Sequence, residues 1–147
     1  MRLMEYKKGI NMDTTKAEAD KALDYLKSFI GKSQISVIRR ACRGEEKQWF
    51  FDMLVKLADL IKTMPVTYEQ DGKGEEAIVY LHYFTGGADW FIYEKDVEPE
   101  QLQAFGLADL FGDGGELGYI SIVELIADEV ELDLHWTPKP LKECRKH

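Results

Sequence analysis

The segment from Ala77 to Glu94 constrains this chain more than any other. Ala77 to Phe84 is β-branched and aromatic throughout (Ala-Ile-Val-Tyr-Leu-His-Tyr-Phe), and Asp89 to Glu94 keeps that character as Asp-Trp-Phe-Ile-Tyr-Glu. Gly86-Gly87 between them suits the positive φ of a two-residue hairpin turn. That turn fixes a register. Tyr83 faces Trp90, Leu81 faces Ile92 and Val79 faces Glu94, while Phe84 meets Asp89, His82 meets Phe91 and Tyr80 meets Tyr93 on the other face. A hairpin with one wet face alternates apolar with polar residues. Here both faces are mostly apolar, so the ribbon is expected to be covered on both sides. The competing reading is an exposed platform of Tyr80, His82, Phe91 and Tyr93 on which bases could stack. No cationic groove accompanies these rings, and His82 is expected to be hydrogen-bonded and partly buried.

The strands continue beyond the hairpin. After Pro99, Gln103 to Phe111 reads as a third strand, Gly112-Asp-Gly-Gly115 as a loop and Glu116 to Ile120 as a short strand. Ser121 can cap a helix through Ile122, Val123, Leu125 and Ile126, with Glu124 completing a capping box. Glu131 to Trp136 alternates Leu132 and Leu134 with acids, which suits an edge or last strand, and Pro138 and Pro140 end regular structure.

Ahead of the hairpin the period changes to that of helices. Asp13 is placed to cap a helix whose apolar face is Ala19, Ala22, Leu23, Leu26, Phe29 and Ile30, with Gly31 as a left-handed stop. Ser33 can cap a second, short helix through Ile35, Val37, Ile38 and Cys42, closed by Gly44 and carrying Arg39, Arg40 and Arg43 outside. A third runs from Glu45 to Thr63. Its stripe is Phe50, Met53, Leu54, Leu57, Ala58 and Ile61, widened by Trp49 and Leu60, and Met64-Pro65 ends it. The polar linker from Thr67 to Glu76 carries turn signals at Asp71-Gly72 and Gly74, yet neither half alone offers a closed core. The 147 residues are therefore expected to form a single domain, helical over 1–64 and sheet-rich over 76–140. The expected class is α+β: three N-terminal helices packed on a small, mainly antiparallel sheet, with one short extra helix.

Charge divides along the same line. Residues 1–63 carry 13 Lys and Arg against 9 Asp and Glu, whereas residues 64–147 carry 6 against 18. Between Gly74 and Trp136 fifteen acids accompany a single base, Lys95, before Lys139, Lys142, Arg145 and Lys146 turn the chain basic again. Such a field serves solubility, and it also repels nucleic acid and attracts basic protein surfaces. Glu98, Glu100, Asp109, Asp113 and Glu116 are the candidate acidic binding surface. Arg39, Arg40 and Arg43 form a candidate basic patch, although three arginines on a short helix are the ordinary solvated face.

Several classes are excluded or disfavoured. No apolar run approaches the roughly 18–20 residues that span a bilayer. Met1 to Met12 lacks the apolar stretch of a signal peptide. Cys42 and Cys144 are too few and too distant for a disulfide framework or a metal knuckle, so a cytoplasmic protein with reduced thiols is expected. Cys42 falls on an apolar helix face, which suits packing rather than nucleophilic work. The glycine-rich Gly112 loop lacks the lysine of a phosphate-binding loop. Asp109, Asp113 and Glu116 miss calcium-loop spacing, and His82, His135 and His147 are too scattered for zinc. No catalytic residue, metal or cofactor is expected. The enzymatic alternative is a small-molecule pocket beside the hairpin, formed by Glu94, Glu116, Tyr119, His135 and Trp136, whose segments mix polar tips with apolar bodies.

An ordered series of short motifs resembles a known family. The series is Tyr80-Leu-His-Tyr-Phe, Gly86-Gly, Asp89-Trp-Phe-Ile-Tyr-Glu94, Phe105-Gly-Leu107, Glu116-Leu-Gly-Tyr-Ile-Ser121 with Glu124-Leu125, and Asp133-Leu-His-Trp136 with Pro138. Over Ile78 to Pro140 the chain resembles an uncharacterised domain family of phages, prophages and conjugative elements, known only as a domain of unknown function. The resemblance implies an α+β fold and a mobile-element origin, and no activity, cofactor or catalytic residue. Together with the charge it points to a non-enzymatic interaction protein in the host cytoplasm. Its acidic surface would bind a basic host protein, as a nucleic-acid mimic or anti-defence factor. The alternatives are the pocket protein above and an accessory protein that binds nucleic acid through Arg39, Arg40 and Arg43. Direct nucleic-acid contact and membrane association are not expected.

Overall fold

The computed structural model describes residues 13–145. The reading of Met1 to Met12, and Lys146 and His147, lie outside the described residues. The described chain forms two compact units, one of residues up to 27 with 32–63, the other of 28–31 with 64 onward. Helices and a mainly antiparallel sheet together make the class α+β.

The first unit holds α1 (Lys16–Leu26), α2 (Lys32–Ala41) and α3 (Lys47–Thr63). Thr15, not Asp13, caps α1. Its hydroxyl accepts the Glu18 amide while the Glu18 carboxylate accepts the Thr15 amide, so two orphan donors are satisfied reciprocally. The backbone and side-chain hydrogen bonds from Thr15 hold the Glu18 carboxyl below its usual range. The helix stops at Leu26, and Phe29, Ile30 and Gly31 belong to the second unit. Gly31 is buried without a left-handed backbone, and a Cβ there would lie 3.0 Å from Glu129 Oε1 and from the Ile126 carbonyl. Close approach, not helix termination, explains that glycine. Ser33 lies inside α2, Val37 is exposed, and Cys42 falls just past the helix, half-buried. On α3 the buried row is Phe51, Asp52, Leu54, Ala58 and Ile61, rotated from the expected stripe so that Phe50 is only partly covered and Trp49 exposed. Gln48 bridges the Thr14 carbonyl and Asp52 Oδ1, whereas Asp52 Oδ2 is buried without a hydrogen bond.

In the second unit the hairpin forms in the expected register. β2 (Leu81–Thr85) and β3 (Ala88–Glu94) pair Leu81 with Ile92, His82 with Phe91, Tyr83 with Trp90 and Phe84 with Asp89, and Gly86 takes φ +50° in the turn. The run before it is broken at Tyr80, and β1 (Ile78–Val79) pairs instead with β7 (Lys139–Pro140). β4 (Ala104–Asp109) and β5 (Glu116–Ile120) complete one side of the sheet, shorter than the expected Gln103 to Phe111 run for β4. β6 (Glu131–Leu132) forms the other margin, giving the order β5-β4-β3-β2-β6. Only these two residues of the alternating Glu131 to Trp136 segment are strand, because Asp133 and Trp136 turn away over the sheet. Ser121 caps the short α4 (Ile122–Ala127) by accepting the Glu124 amide.

Both hairpin faces are covered. Leu81, Tyr83 and Ile92 are almost completely buried on one, and the Tyr83 hydroxyl donates to the Phe29 carbonyl. On the other, Val79, Phe91, Tyr93 and Leu107 pack with Ala77 and Leu141, joined by Phe105, Trp136 and Cys144. The C-terminal segment therefore supplies the cover that the alternation implied. Burial raises the Cys144 thiol to about 11 and also raises Cys42, so neither is primed as a nucleophile.

Candidate functional site

The acids of the second unit divide into two populations, one inward and one outward. Glu94 is 4% exposed, and its carboxylate accepts the amides of Tyr68 at 3.0 Å and Gln70 at 2.7 Å. Gln70 in turn donates to the carbonyls of Ile78 and Tyr93 and accepts the Ile78 amide. These bonds stitch the linker onto the sheet and hold Tyr68 at φ +74°, a left-handed backbone that a tyrosine adopts only under constraint. Asp96 does similar work for the next loop, accepting the amides of Glu98 and Gln103, while Gln101, held at φ +57°, accepts the Asp96 amide and donates to the carbonyls of Asp96 and Glu98. Asp109 is 3% exposed and accepts the Gly112 amide. It is therefore a turn anchor and not a member of the acidic surface.

Asp89 and Asp133 are also occupied. His82 lies between them, Nε2 at 2.8 Å from Asp89 Oδ1 and Nδ1 at 3.0 Å from Asp133 Oδ2. Its ring stacks on Phe91 at 4.9 Å and 9°, with Phe84 and Trp136 on adjoining sides. The platform reading of Tyr80, His82, Phe91 and Tyr93 is thereby corrected, since Trp136 and its neighbours sit on these rings and Phe91 and Tyr93 are buried. Glu75 and Glu76 pair with Arg145 and Lys142, each at 2.7 Å, and the guanidinium holds the Glu75 carboxyl below the usual range.

What remains outside is Glu98, Glu100, Asp113 and Glu116 among the sequence candidates, with Glu124, Asp128, Glu129 and Glu131 as further exposed acids. Asp113 lies in the turn between β4 and β5 and Glu116 follows it, and that turn exposes two apolar side chains that the sequence reading had assigned to a strand, Phe111 at 85% and Leu110 at about half. Leu117 and Tyr119 of β5 itself are also about half exposed. Large exposed apolar residues rimmed by charge mark interaction surfaces. The sequence signal is a Leu-Phe pair placed directly before a Gly-Asp-Gly-Gly turn, where no core can reach it.

The five pocket candidates fall on different elements, β3, β5 and the segment after β6, with Glu94 and Tyr119 both bonded to Tyr68. Trp136 packs on His82 and Phe91, its indole donating to the Val79 carbonyl and lying beneath the Lys139 ammonium at 4.4 Å. Tyr119 belongs to β5 at the far margin, edge-on to Phe105 and hydrogen-bonded to the Tyr68 hydroxyl at 3.0 Å, a bond that raises its phenol above the ordinary value. Glu94 is spent on the linker, while Glu116 and His135 are exposed. Arg39, Arg40 and Arg43 are exposed around the C-terminal end of α2, where cations suit the helix dipole. Among the described residues no group of three or more His, Cys, Asp or Glu could hold a metal ion, and no helix is long and apolar enough to cross a membrane.

Comparison with known proteins places this arrangement in a family without assigning it an activity. No curated protein and no solved structure matches the chain. Residues 54–138, more than half of the 147, match the family described as a protein of unknown function, DUF2958, and the match begins inside α3, ahead of the Ile78 at which the resembling stretch starts. The chain therefore belongs to the DUF2958 family of proteins of unknown function.

Proposed function

We propose that this is a non-enzymatic interaction protein whose acidic sheet-bearing unit binds a basic protein surface. The observation that carries the reading is the division of its acids: Glu94, Asp96 and Asp109 are buried on backbone amides and Glu75 and Glu76 are paired with cations, whereas Glu98, Glu100, Asp113 and Glu116 are exposed, the last two at the β4–β5 turn that carries Leu110 and Phe111. Exposed charge around an apolar centre steers a partner and then holds it, the field setting the association rate and the apolar contacts the lifetime. Two of the basic groups of the same unit, Arg145 and Lys142, are taken up by Glu75 and Glu76. The motif resemblance to mobile-element proteins makes the partner a basic host protein, with the carboxylates standing in for nucleic-acid phosphates and an anti-defence role as the biological setting.

The test is affinity capture from host extract with the full chain, followed by binding of the captured partner at 50 and 200 mM salt, a range over which screening grows markedly. A basic partner should bind at least tenfold more weakly at the higher salt. The E98K/E100K/D113K variant should weaken it by a comparable factor at 50 mM. A captured complex indifferent to both would end the acidic-surface reading.

A further inference from the structure

We infer that β5 is a docking edge that accepts an extended, basic peptide segment of the partner as a sixth strand of the sheet. The inference rests on the acidic-surface reading above and names where and in what conformation the partner is held.

The two margins of the sheet are built differently. β6, at one margin, is two residues long. β5, at the other, pairs with β4 over five consecutive positions in an unbroken register, Glu116 with Ala108 through Ile120 with Ala104. Among the described residues no strand lies on its outer side. Proteins blunt such margins with short strands, prolines, lysines or bulges. β5 has none of these, and its one charged residue is Glu116. Alternate amides and carbonyls of β5 therefore point outward and are available to a further strand.

The side chains specify what that strand carries. Leu117 and Tyr119 project from one face, opposite Leu107 and Phe105 of β4, and are 48% and 53% exposed. An incoming strand would lay alternate apolar residues beside them and extend the Phe91–Leu107 layer outward. On the opposite face lie Glu116, Gly118 and Ile120. A Cβ built on Gly118 meets nothing within 4 Å, so a long side chain can lie across that glycine and reach the Glu116 carboxylate. Cations on that face, apolar residues on the other, are the complement of β5. A second copy of this chain is the weaker occupant, because each copy carries a formal charge of −8 and would add Glu116 and Asp113 to a field already acidic.

The probe is an acetylated ten-residue peptide of alternating lysine and valine, added to the full chain at 50 mM salt. Its controls are the same peptide N-methylated at every second residue and a ten-residue lysine peptide. Amide exchange within Glu116–Ile120 should slow at least tenfold with the alternating peptide and with neither control. The L117K/Y119K variant, altered at half-exposed positions, should bind the alternating peptide at least tenfold more weakly while keeping its circular dichroism spectrum. Binding of cationic peptides with β5 exchange unchanged would overturn the strand-addition site and leave the acidic-surface reading standing. If no cationic peptide binds, both fall. Protection of β5 in the protein alone, together with a doubled mass in solution, would assign the edge to a second copy and overturn the inference.

Discussion

At His82 each ring nitrogen lies within hydrogen-bond distance of a carboxylate, so one imidazole is the shared partner of Asp89 and Asp133. The ring lies between an acid of β3 and one just past β6, on either side of β2, in a site walled by Phe84, Phe91 and Trp136. Replacing it with alanine leaves two partly buried carboxylates without that donor and removes three ring contacts. The expected loss for H82A is about 2–3 kcal/mol, read from the midpoint of urea unfolding at pH 7. A loss below about 0.5 kcal/mol, the level of a surface contact, would show that the cluster contributes no structural support. The hydrogen-bonded histidine was legible from the hairpin register alone. Its partners were not, since Asp133 is 51 residues away and reaches His82 only because the chain after β6 turns back across the sheet. The same limit hid the roles of Glu94, Asp96 and Asp109. A carboxylate in sequence carries a charge, but whether it meets solvent or a backbone amide depends on burial.

At the scale of elements, the turns were the most legible features and the helix faces the least. Gly86-Gly87 sets its own register because a two-residue turn permits few alternatives. Helix faces can rotate by a residue without breaking the 3.6 period, and α3 did so, burying Phe51 and Asp52 in place of Phe50 and Met53. Gly106 shows what an internal strand glycine does. A Cβ there would lie 1.9 Å from the Phe91 carbonyl oxygen, against backbone that cannot give way, beside the register shift between Ile92 and Glu94. G106A should therefore cost about 3 kcal/mol or more, at the upper end of overpacking penalties, measured as a lowered urea midpoint. The internal comparison is G118A: the same sheet with open space above the glycine should lose less than about 1 kcal/mol. Equal losses at the two positions would refute close approach as the reason for Gly106.

For the whole molecule, the formal charge of −8 is a sum that hides its arrangement. Two acids of the second unit, Glu75 and Glu76, tie the start of the sheet to the chain's last described residues through Arg145 and Lys142, across 70 and 66 positions of sequence. Glu75 is held below its ordinary value of 4.5, chiefly by hydrogen bonds from Arg145. Its stabilisation is therefore fully present above that value and is lost as pH falls through the lowered one. E75Q should reduce stability by about 0.5 kcal/mol at pH 7, the scale of a solvated ion pair, and the difference from the parent should shrink steadily as pH falls below 4.5. A difference that did not change with pH in the acid range would mean that packing, not charge, is what the substitution removed. By itself the sequence determined the α+β class, the hairpin with its register, and the asymmetry of charge, because strand period, turn chemistry and ionisation are properties of neighbouring residues. Only the tertiary structure decided which acids are structural and which face solvent, and that β5, with Leu117 and Tyr119, is the marginal strand of the sheet among the described residues. Those outcomes depend on contacts between residues far apart in the chain, and no local pattern encodes them.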